Sequence, residues 1–228
     1  MLIAVVGPWA GNTGLACRAI EKVAQCGADL IVSTGDVGLA GDEEASGRLD
    51  RINEQLSAAN LSLWTVAGGL DDTDWLTSLP VDDDGLRVVR PTIRAVPAGH
   101  RQDIEGQTWL FLGGTDVRPS QAERAVAGGK CDVLVTHDGP SNSRLLRRLM
   151  ARPGRDDGRS ANRDVIRSVW EATHPKRLIH SSRGLRYTDM LDPLGFVIGM
   201  DDVAASRWDG TTIVTQAGLG WTDWPPRT

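Results

Sequence analysis

The chain has 228 residues, with 25 Lys and Arg against 30 Asp and Glu, and a formal net charge of -5 at pH 7. An acidic protein of this size is not expected to be drawn as a whole to nucleic acid or to an anionic membrane surface. With 40% hydrophobic residues and no apolar run of membrane-spanning length, the composition predicts one globular domain over residues 1–228 and no membrane contact.

The cysteines and the N-terminus indicate the compartment. Cys17, Cys26 and Cys131 are an odd, widely spaced set without a Cys-x-x-Cys pair, which is typical of a reduced protein. Residues 1–6 are apolar but too short, and too poor in basic residues, for a signal peptide. We therefore expect a cytoplasmic protein.

Hydrophobic periodicity in the first third of the chain predicts a βαβ arrangement. Apolar runs predict buried strands at residues 2–6, 30–34 and 61–66. Apolar residues at helical spacing predict helices at residues 13–25 and 43–59, the first of them capped by Gly27.

The rest of the chain predicts shorter and mixed elements. Strands at 86–89, 92–96 and 108–112, with a Glu105-Gly106 turn before the last, suggest antiparallel hairpins. Further helices are expected at 121–127, 143–150 and 163–172, and strands at 133–136, 177–180, 185–188, 196–199 and 211–215. The polar stretch 152–160 predicts an exposed, mobile loop, and the tail from residue 220 is expected to pack on the surface.

Polar residues follow several of the predicted strands at the point where each strand ends. Asp36 follows the strand at 30–34, Asp71 follows the strand at 61–66, and His137 and His180 lie at the ends of two later strands. Because ligands collect at the carboxyl edge of an open α/β sheet, these four residues are the candidate catalytic residues.

Three segments resemble the calcineurin-like metallophosphoesterases, and the likeness extends from residue 1 to about residue 215. Ser33-Thr34-Gly35-Asp36 resembles the family's Gly-Asp motif. The run from Asp132 to Pro140, which contains Thr136-His137-Asp138, resembles the strand that ends in the family's metal-binding histidine. Trp109 to Gly114 resembles a hairpin strand with a Gly-Gly end. The resemblance implies an α/β sandwich of two mixed β-sheets flanked by helices.

In this family two metal ions, about 3.5–4 Å apart, bind a phosphate and activate a water molecule. The resemblance implies that Asp36 occupies the position of the metal-bridging carboxylate and His137 that of a metal-binding histidine. At the first motif, where the family has Asp-x-His, this chain has Pro8-Trp9-Ala10. At the third, where the family has Gly-Asn-His followed by an acidic residue, it has Gly68-Gly69-Leu70-Asp71.

The family's closing Gly-His-x-His motif is also missing. The corresponding region reads His180-Ser181-Ser182-Arg183-Gly184, and neither possible register supplies two histidines. Because a catalytic zinc needs at least three protein ligands, no metal cofactor is expected, or at most one weakly bound divalent ion. Asp71, Asp72, Asp138 and His180 are the residues that could substitute as ligands.

Two regions are candidates for ligand or partner binding. Trp9 and Asn12 lie at the first motif, where the indole either stacks on a bound ring or fills the former metal cavity with apolar bulk. The second region is an arginine-rich flap, residues 144–167, with eight arginines that include Arg144 and Arg148. The flap suits a phosphate-bearing or acidic partner, or else it is a solvated helical face and loop.

The leading hypothesis is a pseudoenzyme. The chain would be a degenerate metallophosphoesterase-like protein that binds a small molecule or protein through the family's metal cleft or through the flap. One alternative is an enzyme of altered chemistry in the remodelled cleft, with at most one metal. The other is a residual metal-dependent phosphoesterase whose ligands come from unexpected positions.

Overall fold

The computed structural model describes residues 1–150, 160–181, 186–191 and 195–200, and the strands at 212–216 and 220–224. The helices are α1 (Thr13–Gln25), α2 (Glu43–Ala58), α3 (Thr73–Ser78), α4 (Pro119–Ala127), α5 (Arg144–Met150) and α6 (Ser160–Thr173). The strands are β1 (Leu2–Val6), β2 (Leu30–Ser33), β3 (Ser62–Thr65), β4 (Arg87–Arg90), β5 (Ile93–Ala95), β6 (His100–Ile104), β7 (Gln107–Leu112), β8 (Val133–Thr136), β9 (Arg177–His180), β10 (Tyr187–Leu191), β11 (Gly195–Gly199), β12 (Thr212–Gln216) and β13 (Gly220–Trp224).

The first sheet has seven strands in the order β13-β12-β1-β2-β3-β5-β4. Strands β1, β2, β3 and β5 run parallel, whereas β12 pairs antiparallel with β1. The register places Val6 opposite Ser33 and Ser33 opposite Thr65, so three parallel strands end at the same level. The loops that leave these strands therefore meet at one edge.

The second sheet has six strands in the order β10-β11-β9-β8-β7-β6. Its central strands β7, β8, β9 and β11 are parallel, and antiparallel strands close both sides. Leu112 lies opposite Thr136, so the residues after β7 and β8 also leave at one edge.

Alternating side chains of the strands build three apolar layers. Ile3 and Val5 face the layer between the two sheets, together with Trp109 and Phe111 from the second sheet. Ala4 and Val6 point the other way, under α1 and α2. A third layer lies between the second sheet and α4 and α6. This arrangement confirms the predicted sandwich of two mixed β-sheets flanked by helices.

Most of the predicted elements are present, and the differences have local causes. Strand β6 was not predicted, because its sequence HRQDI is polar and only Ile104 is buried. Helix α3 was also missed because it is a single short segment, which begins after the N-cap Asp72. Residues 220–224 form the edge strand β13. The loop expected at 152–160 lies outside the described residues, apart from Ser160 at the start of α6.

Within the described residues, no helix is both long and apolar enough to cross a membrane.

Candidate active site

Asp36 lies at the carboxyl end of β2 in a backbone conformation that non-glycine residues rarely adopt. Its φ angle is +56°. Two hydrogen bonds hold the residue there: its backbone N–H donates to Asp71 Oδ2 at 3.0 Å, and its Oδ1 accepts from the Leu70 N–H at 2.8 Å. The second carboxylate oxygen, Oδ2, is directed towards His137.

His137 follows β8 in the second sheet and meets Asp36 across the two sheets. Its Nδ1 lies 2.9 Å from the carbonyl oxygen of Thr34. Because a carbonyl oxygen only accepts hydrogen bonds, Nδ1 carries the proton in the neutral ring. Nε2 then faces Asp36 Oδ2 at 3.6 Å. The structure thus brings together the two residues that match family ligand positions.

The Thr34 carbonyl oxygen has a second donor. Ser181 Oγ donates to it at 3.1 Å, from the loop that follows β9. A single backbone oxygen of the first sheet therefore joins two strand ends of the second sheet. Neither Thr34 nor Ser181 was predicted as a site residue, because a backbone carbonyl leaves no signal in a sequence.

Asp71 is buried and binds backbone rather than facing the cleft. Its Oδ1 accepts from the N–H groups of Gly38 and Leu39, both at 2.8 Å. Its Oδ2 accepts from Asp36 at 3.0 Å and from Gly68 at 2.7 Å. Burial raises the pKa of the Asp71 carboxyl above its ordinary value, against the N–H groups of Leu39 and Gly68, which lower it. Both oxygens are engaged in joining two loops of the first sheet.

His180 is close to the site in sequence but is engaged elsewhere. The ring is fully buried, and Nε2 lies 2.6 Å from the hydroxyl oxygen of Tyr187. Burial lowers the pKa of His180 to about 4, so the ring is neutral at pH 7. The sequence did not predict Tyr187 as a partner of this histidine.

The other predicted residues make contacts of their own. Trp9 is 0% exposed and packs in the apolar layer beneath α1 and α2, a position that fits the cavity-filling alternative. Asn12 caps α1, where its Oδ1 accepts from the Leu15 N–H at 3.0 Å. Arg144 and Arg148 are exposed on α5. Their roles in binding stay predictions.

The two residues proposed as substitute ligands beside Asp71 and His180 also have structural partners. Asp72 Oδ1 caps α3 by accepting from the Trp75 N–H at 2.9 Å. Asp138 is fully buried, and its Oδ1 accepts from the Gly139 N–H at 2.9 Å and lies 3.4 Å from Arg163 Nε.

The donor atoms can be compared with what a metal centre requires. In the part of the chain that the structure describes, no three His, Cys, Asp or Glu side chains are placed to hold a metal ion together. Asp36 Oδ2 and His137 Nε2 are the pair that face each other. Two donors fall short of the three protein ligands of a catalytic zinc, and a two-metal centre needs more. The described residues therefore do not fit the family's two-metal centre.

Two facing mixed sheets, helices on both outer faces, and polar residues at the carboxyl ends of the parallel strands define the calcineurin-like metallophosphoesterase fold. Among solved structures, the chain is similar to the protein TT1561 of Thermus thermophilus, at 14% identity and a TM-score of 0.61, over 93% of this chain and 92% of that one. It is also similar to a dimetal phosphatase from Danio rerio, at 11% identity and a TM-score of 0.60, over 94% of this chain and 91% of that one. At these identities the likeness establishes the fold.

No protein-family model matches the sequence, and the curated proteins contain no match to it.

Proposed function

We propose that this chain is a degenerate metallophosphoesterase-like protein, a pseudoenzyme that binds a ligand or partner and lacks two-metal phosphoesterase chemistry. The observation that carries the proposal is the set of donor atoms at the strand ends, where the described residues bring together one carboxylate and one histidine, Asp36 and His137. Asp71 could have substituted as a further ligand, but its two oxygens accept four backbone N–H groups. A carboxylate so engaged has little capacity left for a metal.

The same hydrogen bonds replace a structural contribution of the metals. Two ions that bind ligands from five motifs also tie the strand-end loops together. Here Asp71 joins the loop after β2 to the loop after β3, and the Thr34 carbonyl joins the first sheet to the ends of β8 and β9. These protein contacts join the strand-end loops to one another.

The cleft retains features suited to binding. The Asp36 side chain is 21% exposed, and Leu70 beside it is 59% exposed. A carboxylate next to an exposed apolar side chain suits a small molecule or peptide with a hydrogen-bond donor and an apolar group. The exposed Arg144 and Arg148 on α5 offer the second surface, for a phosphate-bearing or acidic partner.

Two measurements on the purified protein test the proposal. Elemental analysis is expected to find no stoichiometric metal, and bis(p-nitrophenyl) phosphate with added Mn²⁺ is expected to be hydrolysed no faster than in a blank. Two tightly held metals per chain, with turnover abolished in Asp36→Asn and kept in the exposed control Asp83→Asn, would overturn it.

A second candidate function is acid–base catalysis by the Asp36–His137 pair. The hydrogen bond from Nδ1 to Thr34 leaves Nε2 without the proton in the neutral ring and directed towards Asp36 Oδ2, 3.6 Å away. An Nε2 atom so placed could accept a proton from a substrate bound beside the pair. If an activity is found by screening metabolites, His137→Ala should abolish it while the protein stays folded. An activity unaffected by this substitution would exclude the pair.

We also propose a cytoplasmic location. The three cysteines are free thiols, which suits a reducing compartment.

A further inference from the structure

We propose that a cavity between α3 and α4 is a binding site for a small phosphorylated molecule. Neither Asp36 nor His137 is among the described residues that line it. The cavity has a volume of about 410 Å³ and lies beyond the ends of β3, β5 and β7. This volume is in the range of small-molecule pockets, roughly 300–1,000 Å³. The inference does not depend on the proposed loss of metal chemistry.

Three arginines line the cavity, one from β4 and two from α4 and its N-cap. Arg87 comes from β4, Arg118 precedes α4, and Arg124 lies within α4. Arg87 Nη1 donates to the Leu79 carbonyl at 2.7 Å, and Arg124 Nη2 donates to the Ala98 carbonyl at 3.3 Å. These bonds orient two of the guanidinium groups, and their carbonyl acceptors carry no charge.

The neighbouring arginines of the same sheet are neutralised. Arg90 in β4 pairs with Asp50 at 2.6 Å, and Arg94 in β5 pairs with Asp82 at 2.7 Å. Within the ranges that the structure describes, no carboxylate forms such a pair with Arg87, Arg118 or Arg124. The lining thus holds three arginines against two carboxylates, Asp74 and Asp116, and is net positive in a protein of net charge -5.

A phosphate monoester is the ligand chemistry that matches this lining. It carries close to two negative charges and three terminal oxygens, which planar guanidinium groups bind with paired hydrogen bonds. Asp74 and Asp116 also line the cavity. Their carboxylates accept hydrogen bonds, so the remainder of the ligand should carry hydroxyl or amino groups.

The floor of the cavity is a close backbone contact. Gly114 N–H donates to the Ala67 carbonyl at 2.8 Å, and a Cβ atom on Gly113 would lie 2.7 Å from the Ala67 nitrogen. Glycine at position 113 therefore lets the end of β7 lie against the loop after β3. The cavity is a built feature of the strand ends.

The test is calorimetric titration of the full chain with inorganic phosphate at constant ionic strength. One saturable site is expected. Arg118→Gln and Arg124→Gln should each weaken the affinity by about tenfold, since each removes a charged donor. Asp116→Asn should strengthen it severalfold because it removes a repelling charge. Arg51→Gln, on the exposed face of α2, is the matched control and should leave the affinity unchanged.

Thr77→Trp tests whether phosphate binding needs the space of the cavity as well as the charges of the arginines. It fills the space without changing a charged group, and it should abolish saturable binding while circular dichroism shows a folded protein. The proposal is overturned if wild type shows no saturable binding, or if Arg118→Gln and Thr77→Trp bind phosphate as wild type does. If Arg148→Gln weakens phosphate binding and Arg118→Gln does not, the phosphate binds at the flap and the proposal is wrong.

Discussion

At the scale of single residues, two adjacent aspartates have different structural contributions. Asp71 accepts four backbone N–H groups inside the protein, whereas Asp72 caps α3 at the surface. In Asp71→Asn the amide oxygen accepts at most two of the four donors, and the new NH₂ group faces the others. We expect the free energy of unfolding to fall by about 3–5 kcal/mol.

Asp72→Asn is the control for that prediction, since asparagine caps a helix about as well as aspartate. Urea denaturation followed by circular dichroism should therefore show a change of less than about 0.5 kcal/mol for Asp72→Asn. Equal losses in the two variants would contradict the assigned contribution of Asp71.

The buried ring of His180 makes stability depend on pH. Burial holds its pKa at about 4, below the ordinary 6.5, with the positive charge of Arg163 acting in the same direction and Asp138 opposing it. The unfolded chain therefore binds a proton in the window from pH 6.5 down to about 4 that the folded chain does not. The contribution of His180 to the free energy of unfolding is therefore fully present above pH 6.5. It is lost as the pH falls towards 4, by about 3 kcal/mol in all.

Melting curves collected across this pH window measure the effect. The midpoint should fall as the pH decreases in wild type, and His180→Gln should flatten that part of the profile. His174→Asn is the control because His174 is exposed and has a φ angle of +46°, which asparagine tolerates. A profile with the same slope in His180→Gln as in wild type would show that His180 is not responsible.

At the scale of elements, the surroundings of Gly68 and Gly47 predict opposite effects of a glycine-to-alanine substitution on stability. A Cβ atom on Gly68 would overlap Asp36 Oδ1 and the Asp36 backbone nitrogen. Gly68→Ala should therefore displace the loop after β2 and destabilise the protein by about 1–3 kcal/mol. Gly47 lies within α2 with nothing within 4 Å of its Cβ position, so Gly47→Ala should stabilise by about 0.5–1 kcal/mol.

The midpoints of urea denaturation of the two variants provide the measurement, and each variant controls for the other. The sign of the difference is the decisive result. A neutral Gly68→Ala would mean that the loops after β2 and β3 are not in close contact.

The same elements show how far the sequence determines the fold. Helix α1 and strands β1, β8 and β9 have the predicted limits because a buried apolar pattern and a clear boundary coincide there. Strand β6 has no such pattern, since it is polar and half-exposed. An edge strand of this kind forms because its partner β7 offers free hydrogen-bonding groups, and that information lies elsewhere in the chain.

The candidate site could also be predicted only in part. Asp36 and His137 follow buried strands, so both were expected at a sheet edge, and they lie 3.6 Å apart. The four donors to Asp71 and the arginines beside the cavity could not be predicted. They are brought together by loops and strands that are distant in sequence.

At the scale of the whole molecule, the contacts at the strand ends predict how stability responds to metal. Asp71 joins loops within the first sheet and the Thr34 carbonyl joins the two sheets, so folding should not depend on a divalent ion. A centre that bound its metals with a Kd of about 1 µM would add about 4 kcal/mol at 1 mM metal. That gain corresponds to a rise of roughly 8–16 °C in melting midpoint for a chain of this size. We expect the melting midpoints in EDTA and in 1 mM MnCl₂ to lie within about 1 °C of each other, because the Asp36–His137 pair supplies two metal ligands at most. A larger rise that disappears in Asp36→Asn would show that a tightly bound metal contributes to the stability of the sandwich after all.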